Sequence, residues 1–145
     1  MPRWRRCRDG AGRVKLEHIA FDVAEPEAAI AWWCEHLGMR RSAPGGAFLM
    51  DSSGVAGLEI YRSAATDAPP PWGEMHPTAA HVAFASADVK ADAQRLVAAG
   101  ATLVSLDVDA AGRGLAMLRD PWGLPVQLAK REKTIFMEPA GDADS

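Results

Sequence analysis

Two histidines of this 145-residue chain stand at the same place in two similar stretches of sequence. His18 lies in Leu-Glu-His-Ile-Ala-Phe and His81 lies in Ala-Ala-His-Val-Ala-Phe, so each imidazole precedes a β-branched residue, an alanine and a phenylalanine. Two further polar residues, Glu59 and Gln127, interrupt apolar stretches later in the chain. Imidazole and carboxylate side chains are groups with which proteins move protons and bind transition metals. These four residues are therefore the candidates for a functional site.

The two stretches belong to an internal repeat. Phe21 and Phe84 are separated by the same offset as the two histidines, and each stretch is followed by a helical pattern. Further along, Phe-Leu-Met-Asp-Ser-Ser-Gly ends at Gly54 and Met-Leu-Arg-Asp-Pro-Trp-Gly ends at Gly123, and both carry the Asp-x-x-Gly signature of a type I turn. This matched order over a whole half indicates a duplicated module.

Hydrophobic periodicity and turn residues predict the order β-α-β-β-β in each half. Glu25-Pro26-Glu27 opens the first helix and Gly38 ends it, whereas Asp88 caps the second helix and Gly100 ends it. The predicted strands are residues 14–23, 39–43, 46–51 and 55–62 in the first half and residues 79–86, 101–108, 114–119 and 124–130 in the second.

The alternation of side chains along a strand indicates which face each candidate occupies. Ile19, Phe21 and Val23 are expected to pack against the first helix, and Val82 and Phe84 against the second. The helix residues expected to face the core are Ile30, Trp33 and Leu37, then Val89, Ala93, Leu96 and Val97. The helix-free face is then left with small neighbours and with His18, Glu59, Tyr61, His81 and Gln127.

Composition indicates an ordinary soluble globular protein, with 48% hydrophobic and 24% charged residues. A net charge of −3 gives no reason to expect a nucleic-acid partner. No apolar run approaches the roughly 20 residues needed to cross a membrane. The two cysteines do not make a disulfide framework, so a reducing cytoplasm is the expected setting.

The chain is predicted to fold as one domain over residues 14–131, with tails at both ends. Residues 1–13 form a basic arm, which is either flexible or binds a polyanion, and residues 132–145 form an acidic tail. Within the domain, the first module covers residues 14–62, a linker or lid covers residues 63–78, and the second module covers residues 79–131.

The repeat resembles the vicinal oxygen chelate superfamily, which includes glyoxalase I, extradiol dioxygenases and bleomycin resistance proteins. The resemblance covers about residues 15–131 and rests on the histidine stretches, on Trp33 with Leu37-Gly38-Met39, and on Arg-Asp-Pro-Trp-Gly ending at Gly123. It implies an α+β fold in which two tandem βαβββ modules form a curved, partly open, eight-stranded barrel-like sheet with the helices outside. It also implies a homodimer.

The resemblance further implies a divalent metal ion held by His18, Glu59, His81 and Gln127. Two imidazoles and a carboxylate suit Zn, Ni, Co, Mn or Fe. Many metal-using members carry Glu where this chain has Gln127, and an amide cannot accept a proton. Glu59 is therefore the expected catalytic base of a glyoxalase-like lyase or isomerase, which would move a proton next to a carbonyl of a small oxygenated substrate.

Two other functions remain open from the sequence. One is a metal-free protein that binds an antibiotic or another small molecule, with Tyr61 and Trp72 stacking on it. Trp72, Met75 and His76 lie in the linker and could close over the ligand, so these residues and Tyr61 are the predicted substrate contacts. The other is an extradiol-type Fe(II) dioxygenase that uses His18, His81 and Glu59.

Overall fold

The computed structural model describes residues 14–133 and residue 135. The predicted basic arm at 1–13 and most of the predicted tail at 132–145 lie outside the described residues. The chain divides into two compact units, Met1–Pro69 and Pro70–Ser145. The division falls within the stretch 63–78 that the sequence predicts as a linker.

The first unit contains one βαβββ module. Its elements are β1 (His18–Asp22), α1 (Pro26–Leu37), β2 (Arg40–Arg41), β3 (Phe48–Met50) and β4 (Gly57–Tyr61). They form an open four-stranded sheet in the order β1-β4-β3-β2. β1 runs parallel to β4, and the other neighbouring strands are antiparallel. The first and last strands of the module therefore lie side by side.

The second unit repeats this topology. Its elements are β5 (Val82–Ala85), α2 (Val89–Ala98), β6 (Thr102–Val108), β7 (Gly114–Arg119) and β8 (Pro125–Lys130). The strand order is β5-β8-β7-β6, with β5 parallel to β8. The predicted α+β fold of two tandem βαβββ modules with open sheets is thus confirmed. Several strands are shorter than predicted, because pairing with the neighbouring strand ends before the apolar stretch does.

The local signals that bound the helices act as expected. Pro26 occupies the first turn of α1, and Gly38 follows the helix in the left-handed conformation, with φ +67°. The carboxylate of Asp88 accepts a hydrogen bond from the backbone N–H of Ala91 at 3.0 Å and so caps α2. Neither helix is long and apolar enough to span a membrane, and no other helix occurs in the described part of the chain.

The core of the first module lies between α1 and the sheet. Ile30 and Trp33 are buried, as predicted, and Leu37 is half-buried. Ile19, which the alternation assigned to the core, is 51% exposed. The reason is that α1 packs mainly on β4 and β2, whereas Ile19 lies near the start of the edge strand β1. Phe21, further along β1, is buried.

The core of the second module follows the same rule. Val89, Ala93 and Leu96 of α2 are buried, and α2 packs mainly on β6, β7 and β8. Val97 was expected in this core but is 43% exposed. Phe84 on the edge strand β5 is only half-buried. In both modules the first strand lies at the edge of its sheet and is only partly covered by its helix.

The hairpin between β6 and β7 requires glycine at its last position. Gly114 has φ +145°, and a Cβ atom there would lie 2.0 Å from the carbonyl oxygen of Asp107 on the paired strand. Gly112, in the same hairpin, has φ +76°, but a Cβ atom there would meet nothing within 4 Å. A side chain at Gly112 would meet only conformational strain, whereas a side chain at Gly114 would meet strain and a steric clash with the backbone.

We expect Gly114→Ala to lower the free energy of unfolding by at least about 2 kcal/mol, because both strain and clash arise. The control Gly112→Ala should lower it by only about 1 kcal/mol, because only the left-handed backbone is strained. Urea denaturation followed by circular dichroism measures both values. Equal losses of stability for the two variants would contradict the strand pairing that brings Gly114 against the carbonyl oxygen of Asp107.

Candidate functional site

The register of β1 on β4 brings the first two candidate side chains together. Ala20 lies opposite Glu59, and His18 lies opposite Gly57. His18 and Ala20 share a face because they are two residues apart on a strand, so the imidazole lies diagonally beside the carboxylate. The distance from His18 Nε2 to Glu59 Oε2 is 3.5 Å. His18 is 31% exposed and Glu59 25%, so solvent and small ligands reach both groups.

Two neighbours orient the His18 ring. Nδ1 lies 2.9 Å from Oε1 of Glu17, and the ring meets Phe48 edge-on with a centroid separation of 5.1 Å. When Nδ1 carries the proton and donates to Glu17, Nε2 presents a lone pair beside the Glu59 carboxylate. A carboxylate on the far nitrogen is a common way to fix the orientation of a metal-binding histidine.

The second module repeats the spacing and register of these residues, with an amide in place of the acid. Ala83 lies opposite Gln127, and His81 precedes Ala83 by two residues, as His18 precedes Ala20. The Nδ1 atom of His81 lies 3.1 Å from the carbonyl oxygen of Pro77. Donation from Nδ1 to this carbonyl leaves Nε2 as the free nitrogen. His81 is exposed and Gln127 is half-buried.

Each module therefore offers one imidazole and one oxygen donor on one face of its sheet. The burial of β4 supports this face assignment, because Leu58 and Ile60 are buried while Glu59 and Tyr61 are half-buried. Tyr61 follows Glu59 by two residues and so shares its face. Among the described residues, no group of three or more His, Cys, Asp or Glu side chains is close enough together to hold a metal ion. Neither module alone completes a metal site of that kind.

The second part of the linker is fastened to the second module by Arg119. Its Nη1 donates to the carbonyl oxygen of Trp72 and its Nη2 to that of Met75, each at 2.7 Å. Gly123, just beyond Arg119, packs so closely on Gly73 that a Cβ atom would lie 2.7 Å from the Gly73 nitrogen. The predicted substrate contacts Trp72 and Met75 thus lie on a segment whose backbone is held in place.

The remaining predicted contact, His76, is exposed, and its Nδ1 lies 2.7 Å from the Thr78 hydroxyl. The sequence predicts a turn over the Asp-x-x-Gly stretch that runs from Asp120 to Gly123. Asp120 fits that role, since it is 3% exposed and accepts hydrogen bonds from the backbone N–H groups of Trp122 and Leu124. The contact of Arg119 with the linker was missed, because nothing in the sequence links it to carbonyl groups more than forty positions earlier.

The first part of the linker is fastened to the first module by Asp22. Its carboxylate accepts hydrogen bonds from the Ser63 backbone N–H at 2.9 Å, the Thr66 hydroxyl at 2.9 Å and the Arg62 guanidinium at 3.0 Å. Desolvation alone would raise the pKa of Asp22. The hydrogen bonds from Ser63 and Thr66 and the positive charge of Arg62 outweigh it and hold that pKa below its ordinary value.

A groove of about 470 Å³ lies at the end of the β5–β8 strand pair in the second module. Its apolar wall includes Ala83, Ala85 and Ala129, and Lys130 and Arg131 stand beside them. Sequence reasoning noted that small residues surround the candidate histidines but did not identify this groove. The signal was the alternation of alanines with larger residues on both strands.

Comparison with known proteins gives a family. A family model described as a glyoxalase-like domain matches residues 18–129. No functionally curated protein sequence matches the chain.

Three solved structures illustrate the similarity of fold. A glyoxalase family protein from Bacillus cereus is 19% identical with a TM-score of 0.67, covering 80% of this chain and 93% of its own. TnmS3, an antibiotic-binding protein from Streptomyces sp. CB03234, is 20% identical with a TM-score of 0.58, covering 80% and 94%. The trypanothione-dependent glyoxalase I of Leishmania major is 21% identical with a TM-score of 0.54, covering 80% and 86%. At these identities the similarity establishes the fold alone.

The Asp22 network predicts a pH dependence of stability. Since the pKa of Asp22 is lower in the folded protein than its ordinary value of 3.8, the stabilisation is fully present above that value and is lost as the pH falls through the lower folded pKa. Asp22→Asn should therefore have a lower melting temperature than wild type at neutral pH. The difference between the two melting temperatures should shrink in strong acid. Thermal unfolding from about pH 2 to pH 7 tests this, with Asp67→Asn in the same linker as the control. A pH-independent difference between Asp22→Asn and wild type would refute it.

Proposed function

Because this chain belongs to the glyoxalase-like domain family of the vicinal oxygen chelate superfamily, we propose that it is a metal-dependent lyase or isomerase. The proposed reaction moves a proton next to the carbonyl group of a small oxygenated substrate. The observation that carries the proposal is the contact of His18 Nε2 with Glu59 Oε2 at 3.5 Å, together with the equivalent positions of His81 and Gln127. The repetition of this pair of donors on matching strands favours a shared ligand over unrelated roles at the surface.

The proposed metal ligands are His18, Glu59, His81 and Gln127. Two imidazoles, one carboxylate and one amide oxygen form a donor set that suits Zn, Ni, Co, Mn or Fe. A divalent ion bound there would supply Lewis-acid polarisation of the substrate carbonyl. The complete set draws on both modules, from one chain or from the two chains of a homodimer. We place this activity in the cytoplasm, in agreement with the cysteine content.

Glu59 is the proposed base. Its carboxylate accepts the proton, and the Gln127 amide has no basic oxygen with which to replace it. A single carboxylate would then both remove the proton and return it. Tyr61, on the same face of β4, and Trp72, Met75 and His76, on the linker, are the proposed substrate contacts. With one carboxylate among the four ligands, a divalent ion would leave the site with a net charge of about +1, which favours an anionic substrate.

A second candidate function is the binding of a small molecule without a metal ion. The apolar groove of the second module favours it, because about 470 Å³ lies within the range of ligand-binding pockets. The fold shared with the antibiotic-binding protein TnmS3 agrees with this alternative. Metal content separates the two functions.

We expect protein purified without a metal-affinity tag to contain close to one transition-metal ion per predicted site, as measured by elemental analysis. His18→Ala and His81→Ala should each weaken metal affinity at least about tenfold, because each removes a ligand. The matched control is His76→Ala, which removes a linker histidine. Trace metal content, together with a melting temperature that a chelator leaves unchanged, would exclude the metal-dependent enzyme and favour the binding protein.

The role of the base is tested by exchanging acid and amide. Glu59→Gln should lower the rate of hemithioacetal isomerisation by about 10² to 10⁴, the usual contribution of a general base. Gln127→Glu should retain turnover, because it adds an acid without removing the base. Metal content is measured for both variants, so that loss of a ligand is distinguished from loss of the base. If Gln127→Glu abolished turnover and Glu59→Gln did not, the assignment of the base would be wrong.

A further inference from the structure

The groove of the second module continues the face that carries His81 and Gln127. Ala83 lies opposite Gln127, and the next pair along the same face is Ala85 opposite Ala129. Ala83, Ala85 and Ala129 present only methyl groups, and Phe84 and Ile135 also line the groove, which leaves room for an apolar ligand. The groove thus begins beside the candidate site and runs to the end of the strand pair.

Two cationic residues flank the end of this groove, Lys130 and Arg131. Within residues 14–133, the side chain of neither forms an ion pair or a hydrogen bond, although the backbone of Lys130 pairs with Gly114. The acid next in sequence, Glu132, lies 3.7 Å from Arg113 instead. On the β5 side, Asp92 accepts a hydrogen bond from the Ser86 hydroxyl at 2.6 Å and pairs with Arg95 at 3.3 Å. Glu132 and Asp92, two acids of the described part of the chain, therefore already have partners.

We propose that this groove binds the non-reacting part of the substrate, and that this part is an apolar group carrying an anion such as a carboxylate. The apolar portion covers Ala83, Ala85 and Ala129, and the anion pairs with Lys130 and Arg131. The inference rests on the proposed function, because it assigns a substrate class to the face that carries His81 and Gln127. It depends on neither the metal ion nor Glu59, so it can be tested separately.

The expected binding strength follows from the exposure of the groove. The methyl-lined wall supplies most of the affinity through burial of apolar surface. Ion pairs at partly exposed sites contribute little each and are screened by salt, so the two cations should give a modest preference for anions. We expect a carboxylate ligand to bind about tenfold more tightly than its uncharged analogue, and this preference should fall as salt is raised.

The test uses the full chain in the presence of a chelator, with three probes of nearly equal shape. These are 2-naphthoate, 2-naphthamide and 2-naphthylmethylammonium, titrated by methyl NMR of labelled alanine. We expect the affinity to fall in that order, with shifts centred on Ala83, Ala85 and Ala129. Ala85→Leu, which fills the groove, should weaken all three probes.

The charge requirement is tested with a matched pair of double variants. Lys130→Gln with Arg131→Gln should abolish the preference for naphthoate over naphthamide while retaining naphthamide binding. Lys90→Gln with Arg40→Gln removes the same charge at exposed positions outside the groove lining and should keep the preference. Equal affinity of the wild type for naphthoate and naphthamide, shifts centred elsewhere, or a preference that survives in the first variant would each overturn the proposal.

Failure of this inference and failure of the proposed function give different results. If the probes do not bind but metal and turnover are present, the groove assignment is wrong and the enzyme assignment stands. If the probes bind as expected but metal and turnover are absent, the groove assignment stands and the protein is a binder of amphiphilic anions.

Discussion

The parallel pairing of the first and last strand in each module is the constraint on which the candidate site depends. A parallel neighbour fixes which residues face each other, and the alternation of side chains fixes which of them share a face. In both modules the histidine lies two residues ahead of the alanine that faces Glu59 or Gln127. A shift of one residue in either pair would turn the acid or the amide towards the helix.

The two modules share a topology but differ in charge. The first holds an imidazole that contacts both a carboxylate and the aromatic ring of Phe48. The second holds an imidazole, a neutral amide and a row of alanines that ends at two cations. Under the two proposals, the first module supplies the proton chemistry and the second recognises the substrate.

Local signals predicted most of the fold, because they act within a few residues. Gly38, Asp88 and the Asp-x-x-Gly turns bound the elements where expected, and the alternation on β4 gave the correct buried face. Ile19 was misassigned because its burial depends on strand order, and a residue on an edge strand receives little cover from the helix. The Arg119 contact and the groove were missed because both join segments that are distant in sequence.

The linker is attached at both ends, its first part to the first module and its second part to the second module. Asp22 and Arg62 hold the chain as far as Thr66, and Arg119 holds it from Trp72 onward. Residues 67–71, between these two attachments, are rich in proline, and such a segment is stiff and extended. A cut in this proline-rich stretch would suit the production of the two halves as separate polypeptides. The first fragment would keep the Asp22 contacts with the linker, and the second would keep the Arg119 contacts.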